Sequence, residues 1–230
     1  TQTPVVVIGG GNGARAFAGH LSLKGARVRL VSSFPAELEA IEQAGSITVS
    51  GTVEGQGAVE VCRDNFAAAK DAQLILVVVP AFAHAPIARA LAPHLRDGQV
   101  IVLNPGRTGG ALEFVQVLKE EQCQAKVRVA ETQTLLYACR SVGQTGVRIN
   151  GIKKEVALAA FPAVDTQAVL EEVGKYFSEF SPVPSVLYTD LMNIGAVFHP
   201  TTVLLNAGKV ETGEDFEFYR QGMTPAVTTV

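Results

Sequence analysis

The chain has 230 residues, of which 47% are hydrophobic and 18% charged, and its formal net charge is -3. This composition is typical of a globular protein with a buried core, and the charge argues against nucleic acid or an anionic membrane as a partner. Three widely spaced cysteines predict neither a disulfide framework nor a zinc site, and no other metal is expected. The most apolar stretch, 74–92, contains His84, Arg89 and two prolines, so no membrane span is expected. The start of the chain lacks the basic segment of a signal peptide, and we expect a cytoplasmic protein.

Short apolar runs alternate with helical patterns along the first 131 residues. The predicted elements are a strand at 5–8, a helix at 14–25, a strand at 27–31, a helix at 35–45, two short strands within 47–61, a strand at 74–79, a helix at 84–95, a strand at 99–104, a helix at 109–122 and a strand at 127–131. This alternation predicts an α/β fold of the Rossmann type, doubly wound, with a mostly parallel sheet.

The remaining residues divide into a part with strands and a part without. The elements predicted for 145–187 are strands at 146–151 and 154–161, a helix at 165–178 and a strand at 184–187, all continuing the same sheet. After about residue 189 the pattern is helical over 190–210, and Pro200 is expected to kink or split the helix. We therefore expect a first domain over 1–188 and the start of a helical second domain over 189–230, which would continue in a longer chain.

A glycine-rich turn follows the first predicted strand. Its residues fit the pattern G-x-G-x-x-A and are Gly9, Gly10, Gly11, Asn12, Gly13 and Ala14. In such turns the first glycine permits a tight bend, the second lets a pyrophosphate approach the backbone, and the small last residue keeps the helix close to the strand. The phosphates then meet the free N–H groups of the helix N-terminus. We expect NAD or NADP to bind here, with a glycine-rich turn without ligand as the alternative.

The residues after the second predicted strand bear on the choice between NAD and NADP. An Asp or Glu at this point would accept a hydrogen bond from the adenosine ribose and favour NAD. The sequence has Ser32 and Ser33 instead, whose hydroxyls leave room for a 2′-phosphate, and this favours NADP. Arg15, in the first turn of the helix, is a further candidate for a phosphate contact, with a solvated arginine as the alternative.

The carboxyl ends of the later strands should border the same ligand, because ligands of open parallel sheets lie there. The candidates are Val79, Pro80, Asn104, Pro105, Gly106, Glu131, Thr132 and Thr134. The first two would cover the adenosine or ribose. The next three combine a sharp turn with a helix N-terminus, which predicts a contact either on the nicotinamide side or with a substrate carboxylate. Glu131 is assigned to the cofactor, and the two threonines to the substrate. The alternative is ordinary turn chemistry without a ligand.

One of the four histidines stands apart from the others. His199 lies in the apolar stretch AVFHP, where the predicted sheet domain gives way to helix. A histidine in such a place can exchange a proton with a substrate hydroxyl or imine near neutral pH. The alternative is a core histidine with satisfied hydrogen bonds.

Six stretches of the chain resemble one family. They are VVVIGGGNGARAFAGHLSLKG, VVPAFAHAPIA, IVLNPGRTGGALEF, AETQTLLYACRS, NIGAVFHPTTVLLNAG and FYRQGMTPAV. In this order, from Val5 onward, they are similar to the octopine/nopaline (opine) dehydrogenases, bacterial members among them. The resemblance implies an NAD(P)-dependent reductive condensation of an α-keto acid, typically pyruvate, with the amine of an amino acid.

The resemblance also implies roles for particular residues. His199 would be the general acid/base, oriented by an aspartate in a part of the helical domain that these 230 residues do not contain. Arg140 becomes a candidate for pairing with a substrate carboxylate, with a structural salt bridge as the alternative. Thr202 and Asn206, on the helical stretch after the histidine, are expected to contact substrate. Because Ser32 stands where a relative has an acid, NAD versus NADP stays open.

Two other interpretations are open. A hydroxyacid or ketopantoate-type reductase would share the first domain but use a lysine of the helical domain, where the predicted helix offers Lys209. A non-catalytic dinucleotide-binding protein is the third. In the favoured interpretation the partners are small molecules, an α-keto acid and an amino acid, rather than nucleic acid or membrane, and a homodimer is left open.

Overall fold

The computed structural model describes residues 3–63, 66–192 and 194–229. They form two units, one ending at Leu191 and the other starting at Met192. Within the described part of the chain, no helix is long and apolar enough to cross a membrane.

Two sheets make up the framework of the first unit. The strands in chain order are β1 (Val5–Ile8), β2 (Val28–Val31), β3 (Ser46–Gly51), β4 (Gly55–Ala58), β5 (Glu60–Cys62), β6 (Leu74–Val77), β7 (Val100–Leu103), β8 (Arg128–Thr132), β9 (Tyr137–Val142), β10 (Gly146–Ile152), β11 (Val156–Phe161) and β12 (Phe180–Pro182). The main sheet has the order β12-β11-β8-β7-β6-β1-β2-β5 and is parallel except that β11 and β12 run against the others. The chain order therefore reverses on either side of β1, which lies between β2 and β6.

Helices cover the main sheet of the first unit, and separate helices make up the second unit. The α-helices of the first unit are α1 (Asn12–Leu23), α2 (Glu39–Ala44), α3 (His84–Leu91), α4 (Gly110–Glu120), α5 (Thr166–Val173) and α6 (Val186–Leu191). Those of the second unit are α7 (Ile194–Leu205), α8 (Ala207–Thr212) and α9 (Pro225–Thr229). A 3-10 helix, Pro35–Leu38, leads into α2.

The alternation of side chains along β1 shows why the sheet is buried on both faces. Val5 and Val7 belong to one apolar cluster, with Phe17 of α1. Val6 and Ile8 belong to the opposite cluster, with residues of α3 and α4. Strands covered on both faces need apolar residues at every position, and all four residues of β1 are buried.

A smaller sheet, in the order β4-β3-β10-β9, packs against α1. Its central strands β3 and β10 are parallel, although about 100 residues separate them in the chain. Gly19 of α1 permits close packing, because a Cβ there would lie 2.5 Å from a methyl group of Val49. The small sheet thereby brings the turn between β9 and β10 next to the start of α1, as the side-chain contacts below show.

The predicted fold class is confirmed, a Rossmann-type doubly wound sheet followed by helices. The prediction that 146–151 continues the main sheet is wrong, because β10 pairs with β3 and β9. Its burial alternates instead of being continuous, as befits a strand covered on one face. The strand predicted at 184–187 is also wrong: β12 ends at Pro182, and α6 begins soon after Pro184, a residue favoured at helix starts.

Three further differences concern strands and a proline. Strand β9 has no counterpart among the predicted elements, and 46–62 holds three strands rather than two, since β5 leaves the small sheet to pair with β2. The chain stays helical through Pro200, so α7 is not split there. The break expected at the proline falls at Asn206, whose φ of -114° and ψ of 24° are not helical.

Candidate functional site

The glycine turn joins β1 to α1 in a conformation that depends on its glycines. Gly9 has a φ of +131°, and a Cβ there would lie 2.4 Å from the carbonyl oxygen of Val78 and 3.1 Å from the Cβ of Ala14. A side chain at this position would meet both backbone strain and a clash. Around Gly11, by contrast, no described heavy atom lies within 4 Å of the place a Cβ would take. The turn is closed towards the sheet and open at the start of α1.

The first turn of α1 presents backbone N–H groups to this open side. Gly11 precedes the helix in an extended conformation, and no described side chain caps the helix. The first turn also contains no acidic residue. Gly13 packs inward, where a Cβ would meet side-chain atoms of Val78 and Leu135 at 2.9 and 3.0 Å. Free N–H groups and the positive end of the helix dipole favour an anion here.

A cleft of about 290 Å³ runs along the ends of β1, β2 and β6 beside this turn. The residues that line it include the first glycines of the turn, residues after β2, and four residues after β6: Gly9, Gly10, Gly11, Ser32, Ser33, Phe34, Glu37, Val78, Val79, Pro80 and Phe82. Phe34 and Phe82 are 72% and 83% exposed, although large apolar side chains are usually buried. The cleft lies where the strand order reverses, the usual ligand site of such sheets.

An acid that the sequence interpretation missed lies in this cleft. The Ser32 hydroxyl donates a hydrogen bond to the carboxylate of Glu37, and a Cβ on Gly10 would clash with the same carboxylate. Glu37 is five residues beyond Ser32, and the 3-10 helix that starts at Pro35 turns it back towards β2. The signal in the sequence was an acid shortly after the second strand, displaced from the usual position by one turn.

Two predicted cofactor residues are engaged in holding the turn in place. The Arg15 guanidinium donates to three carbonyl oxygens, those of Gly10 (2.8 Å), Gln144 (2.9 Å) and Glu37 (3.3 Å). The Asn12 side-chain oxygen accepts from the backbone N–H of Ser141 at 2.8 Å. Both contacts tie the start of α1 to the small sheet, so these side chains support the glycine turn from its outer side.

The ends of β7 and β8 form a second group of predicted site residues. Asn104 is buried and its side-chain oxygen accepts from the N–H of Leu136 at 3.3 Å. The peptide bond between Asn104 and Pro105 is cis. Gly106 donates its N–H to the carbonyl of Thr132 at 3.2 Å, which joins the two loops. The Thr134 hydroxyl, by contrast, accepts a hydrogen bond from a lysine of a third loop, described below.

Glu131 lies beneath these loops rather than on the surface of the cleft. It is fully buried, and its carboxylate accepts from the N–H of Ala111 at 2.8 Å and from the Thr189 hydroxyl at 2.5 Å. Burial raises the pKa of Glu131 to about 7. The two hydrogen-bond donors lower this pKa, whereas the neighbouring carboxyl of Asp190 raises it further. Its place indicates that Glu131 anchors α4 and α6 to the sheet.

A buried histidine lies near the same helix N-terminus. Both ring nitrogens of His84 lack a hydrogen-bond partner among the described residues, and burial lowers its pKa to about 4. A Cβ on Gly110 would lie 3.1 Å from the His84 ring. The start of α4 is thus packed between a neutral imidazole and the carboxyl of Glu131.

Arg140 is not brought together with the threonines of this group by any described hydrogen bond. It lies on the exposed side of β9, and its guanidinium donates to the carbonyl oxygen of Cys139 at 3.2 Å. Its partner in the register of the small sheet is Arg148.

The second unit holds the other predicted residues. The His199 ring packs among aromatic rings, with centroid distances of 5.7 Å to Phe198 and 5.3 Å to Phe218. Thr202 is buried and donates to the carbonyl of Phe198 at 2.9 Å. The Asn206 amide donates to the carbonyls of Thr202 (2.8 Å) and Gly222 (3.0 Å). These bonds fix the end of α7 around the histidine.

The fold and the glycine turn define a Rossmann-type dinucleotide-binding domain followed by a helical segment. Residues 4–130 match the family model of the NAD-dependent glycerol-3-phosphate dehydrogenase N-terminus. Residues 182–230 match that of the NAD/NADP octopine/nopaline dehydrogenase alpha-helical domain. The chain is similar over most of its length to the octopine/nopaline dehydrogenases, which confirms the resemblance seen in the sequence.

Individual relatives agree with this assignment. An opine dehydrogenase of Arthrobacter sp. (strain 1C) is 40% identical over 96% of this chain and 62% of its own length. An octopine dehydrogenase of Pecten maximus is 29% identical over 68% of this chain and 41% of its own. A solved structure of octopine dehydrogenase with NADH and pyruvate has a TM-score of 0.75 and 27% identity, over 90% of this chain and 56% of that one. The chain therefore spans about 62% of the length of the Arthrobacter relative.

Proposed function

We propose that the protein catalyses the NAD(P)H-dependent reductive condensation of a pyruvate-like α-keto acid with the amine of an amino acid. The amine nitrogen bonds to the keto carbon, the keto oxygen leaves as water, and the resulting imine carbon receives a hydride and its nitrogen a proton. The observation that carries this proposal is the open, uncapped start of α1 beside the cleft, in a chain similar to these dehydrogenases. In this proposal residues 1–188 form the dinucleotide-binding domain, and 189–230 begin the helical substrate and catalytic domain.

The glycine turn fits a dinucleotide pyrophosphate. The open space at Gly11 leaves room for a phosphate, and the uncapped N–H groups of α1 can donate to its oxygens. Gly9 and Ala14 keep α1 close to β1, while Arg15 and Asn12 hold the turn from behind. When bound, the dinucleotide supplies the hydride. Val79 and Pro80 line the cleft, and we assign them to the adenosine. We assign Asn104, Pro105 and Gly106, after β7, to the nicotinamide side.

We propose that the cofactor is NAD, although the two serines by themselves favoured NADP. The Glu37 carboxylate shares the cleft with Ser32 and Ser33. A carboxylate there would accept hydrogen bonds from ribose hydroxyls and repel a 2′-phosphate. The acid absent from the end of β2 is thus supplied by the following turn.

We assign the proton transfer to His199. Its ring lies half-buried among aromatic side chains, and an imidazole there can serve as general acid and base. Thr202 and Asn206 fix the helix that carries it, so their proposed contribution is to orient the histidine and the substrate beside it. Arg140 and the threonines after β8 are proposed as substrate contacts from the first unit.

The reaction is tested by following NADH oxidation with the intact protein. We expect turnover that requires both pyruvate and an amino acid, with a secondary-amine dicarboxylate identified by mass spectrometry. A panel of amino acids then defines the amine donor. Turnover with the keto acid alone, unaffected by any amino acid, would show a hydroxyacid-forming reductase instead.

The role of His199 is tested by replacing it with alanine. We expect kcat to fall by about 10²–10⁴-fold with nearly unchanged NADH affinity, because a general acid/base contributes this much. His94→Ala, at a partly exposed position on a 3-10 helix, is the matched control. An unchanged kcat in the His199 variant would remove the residue from the mechanism.

The remaining proposals concern location and assembly. We propose a cytoplasmic location, because the three widely spaced cysteines of the sequence predict no disulfide framework. A homodimer stays a prediction, which sedimentation velocity of the purified protein would check.

A further inference from the structure

Three loops meet beyond the ends of β7, β8 and β10. The N–H of Gly106 donates to the carbonyl of Thr132, and the N–H of Leu136 donates to the side-chain oxygen of Asn104. The backbone N–H of Lys153 in turn donates to the carbonyl of Leu136 at 3.0 Å. These hydrogen bonds fasten the loops to one another, so side chains on them hold fixed relative positions.

Two cationic side chains, Lys153 and Arg107, lie on these loops. The ammonium group of Lys153 donates to the Thr134 hydroxyl at 2.7 Å. Partial burial lowers the pKa of Lys153, and the nearby guanidinium of Arg107 lowers it further. Within the part of the chain that the structure describes, neither cation forms an ion pair with a carboxylate. Like charges held near each other are unfavourable unless an anion joins them.

The loop that carries Arg107 is strained. Arg107 and Thr108 have φ values of 37° and 49°, and Gly109 follows at 85°. A left-handed conformation is unfavourable for a residue with a side chain, and such strain concentrates where a ligand is held. Arg107 thus lies on the loop after β7, one of the three loops that meet here.

A buried amide adds a further unused donor. The Asn104 side-chain nitrogen has no hydrogen-bond partner among the described residues, although its atoms are buried. A buried donor without an acceptor is unfavourable, because it has lost its hydrogen bonds to water. We call Asn104, Arg107, Thr134 and Lys153 the donor cluster, since all four can donate hydrogen bonds and none carries negative charge.

We propose that the donor cluster binds the carboxylate of the α-keto acid. A carboxylate supplies both the negative charge that the cations lack and oxygen acceptors for several donors at once. Lys153 and Arg107 remain exposed to solvent, so a small anion can reach them. The site lies in the first unit, at the strand ends opposite the adenosine cleft. This inference rests on the proposed function for the identity of the anion.

The chemistry of the reaction favours the keto acid over the amino acid as the source of the carboxylate. The carbon that receives the hydride carries the keto acid's carboxylate directly, whereas the amino acid's carboxylate is two bonds further away. In sheets of this kind the reacting end of the dinucleotide lies beyond strands on the far side of the reversal point. A carboxylate bonded to the reacting carbon must therefore be held at the same strand ends.

Neighbouring lysines allow a matched kinetic test. In Lys153→Met we expect the KM for pyruvate to rise about tenfold or more, since a charge-assisted contact is worth about 1.5–3 kcal/mol. The KM for the amino acid and the NADH Kd should change by less than about twofold. Lys153→Arg should recover part of the loss, and Lys154→Met should behave as the wild type. A rise confined to the amino acid KM, or to the NADH Kd, would overturn the assignment.

A second measurement separates this proposal from the proposed reaction. Trinitrobenzenesulfonate modifies unprotonated amines, and peptide mass spectrometry follows Lys153 and Lys154 separately, with and without pyruvate. We expect pyruvate to protect Lys153 and not Lys154, and Arg107→Gln to weaken the protection. Protection of Lys153 by pyruvate in a protein without condensation activity would support the carboxylate site and contradict the proposed reaction. Normal turnover with no protection and an unchanged pyruvate KM in Lys153→Met would reject the site alone.

Discussion

The two ends of the proposed site are built in different ways. At the adenosine end, the turn from Gly9 to Ala14 works through backbone: an open space at Gly11 and uncapped N–H groups. At the other end, the donor cluster works through side chains on three loops that hydrogen bonds fasten together. The glycine turn needs residues with no side chain or a small one, whereas the donor cluster needs side chains with particular functional groups. Substitutions should therefore act in different ways at the two ends.

The largest effect is expected where the backbone itself fixes the site. Gly9→Ala should lower the free energy of unfolding by about 2–4 kcal/mol, because strain at positive φ adds to a clash with the carbonyl of Val78. Gly25→Ala is the control, since Gly25 also has positive φ (+87°) but no neighbour near the added Cβ. We expect only about 1 kcal/mol there. Urea unfolding measures both, and equal losses would show that the close approach at Gly9 is unimportant.

At the side-chain end, stability should depend on pH through Glu131. Its pKa is raised from 4.5 to about 7, so the folded protein binds the proton more tightly than the unfolded chain. Protonated Glu131 therefore makes its full contribution to the free energy of unfolding below about pH 4.5. This contribution is lost as the pH rises through 7. Glu131→Gln should thus be more stable than wild type at about pH 8, by up to about 3 kcal/mol, with the difference vanishing near pH 4.

The comparison of Glu131→Gln with wild type isolates this effect from that of His84. The lowered pKa of His84 acts in the opposite direction, reducing stability as pH falls from 6.5 towards 4 in both proteins. Thermal unfolding from acid to mildly basic pH measures the difference, with Glu113→Gln on the exposed side of α4 as a control. A constant difference across pH would contradict the assigned pKa.

Cofactor choice should depend on a side chain even at the adenosine end. We expect wild type to bind NADH more tightly than NADPH, and Glu37→Gln to reduce this preference by about tenfold, or about 1.4 kcal/mol, because a carboxylate repels the 2′-phosphate. Glu39→Gln, two residues further along the chain, is the control. Isothermal titration with both nucleotides measures the change. A preference for NADPH in wild type would favour the two serines as the determining residues.

The smallest effect concerns the exposed rings at the cleft. Phe82→Ala should weaken NADH binding by about three- to tenfold, since an apolar ring face beside adenine contributes about 1 kcal/mol. Val164→Ala removes a side chain of similar exposure, 84%, that does not line the cleft. Fluorescence titration with NADH compares the two. An unchanged affinity in the Phe82 variant would place the adenine elsewhere.

The sequence predicted the strand, glycine turn and helix of the adenosine end because these elements are local in the chain. β1, the glycine turn and α1 follow one another within 20 residues, and an added Cβ would clash at Gly9, Gly10 and Gly13. Glu37 was missed because a 3-10 helix after Pro35 returns it towards Ser32, which composition does not reveal. Even here, the partners of Arg15 could not be predicted, since one of them is 129 residues away.

The other end depends on contacts between distant segments, and less of it could be predicted. Asn104 and Thr134 were candidates because they follow strands, but Lys153 follows a strand of the small sheet. The prediction that β10 continues the main sheet hid this neighbour. Glu131 was taken as a cofactor contact, yet its partner Thr189 is 58 residues further along the chain and buries it. Pairing between distant segments, rather than local pattern, decides such positions.

The central claim is that the open side of the glycine turn receives the pyrophosphate of a dinucleotide, and Gly11→Ala tests it most directly. The added methyl meets no described atom within 4 Å and Gly11 has an ordinary φ of -77°, so the fold should tolerate it. Gly151→Ala, also with open space around it, is the control. By isothermal titration we expect the NADH Kd to rise about tenfold or more in Gly11→Ala, with unfolding and the control unchanged. An NADH Kd equal to that of wild type in a folded Gly11→Ala protein would contradict the account.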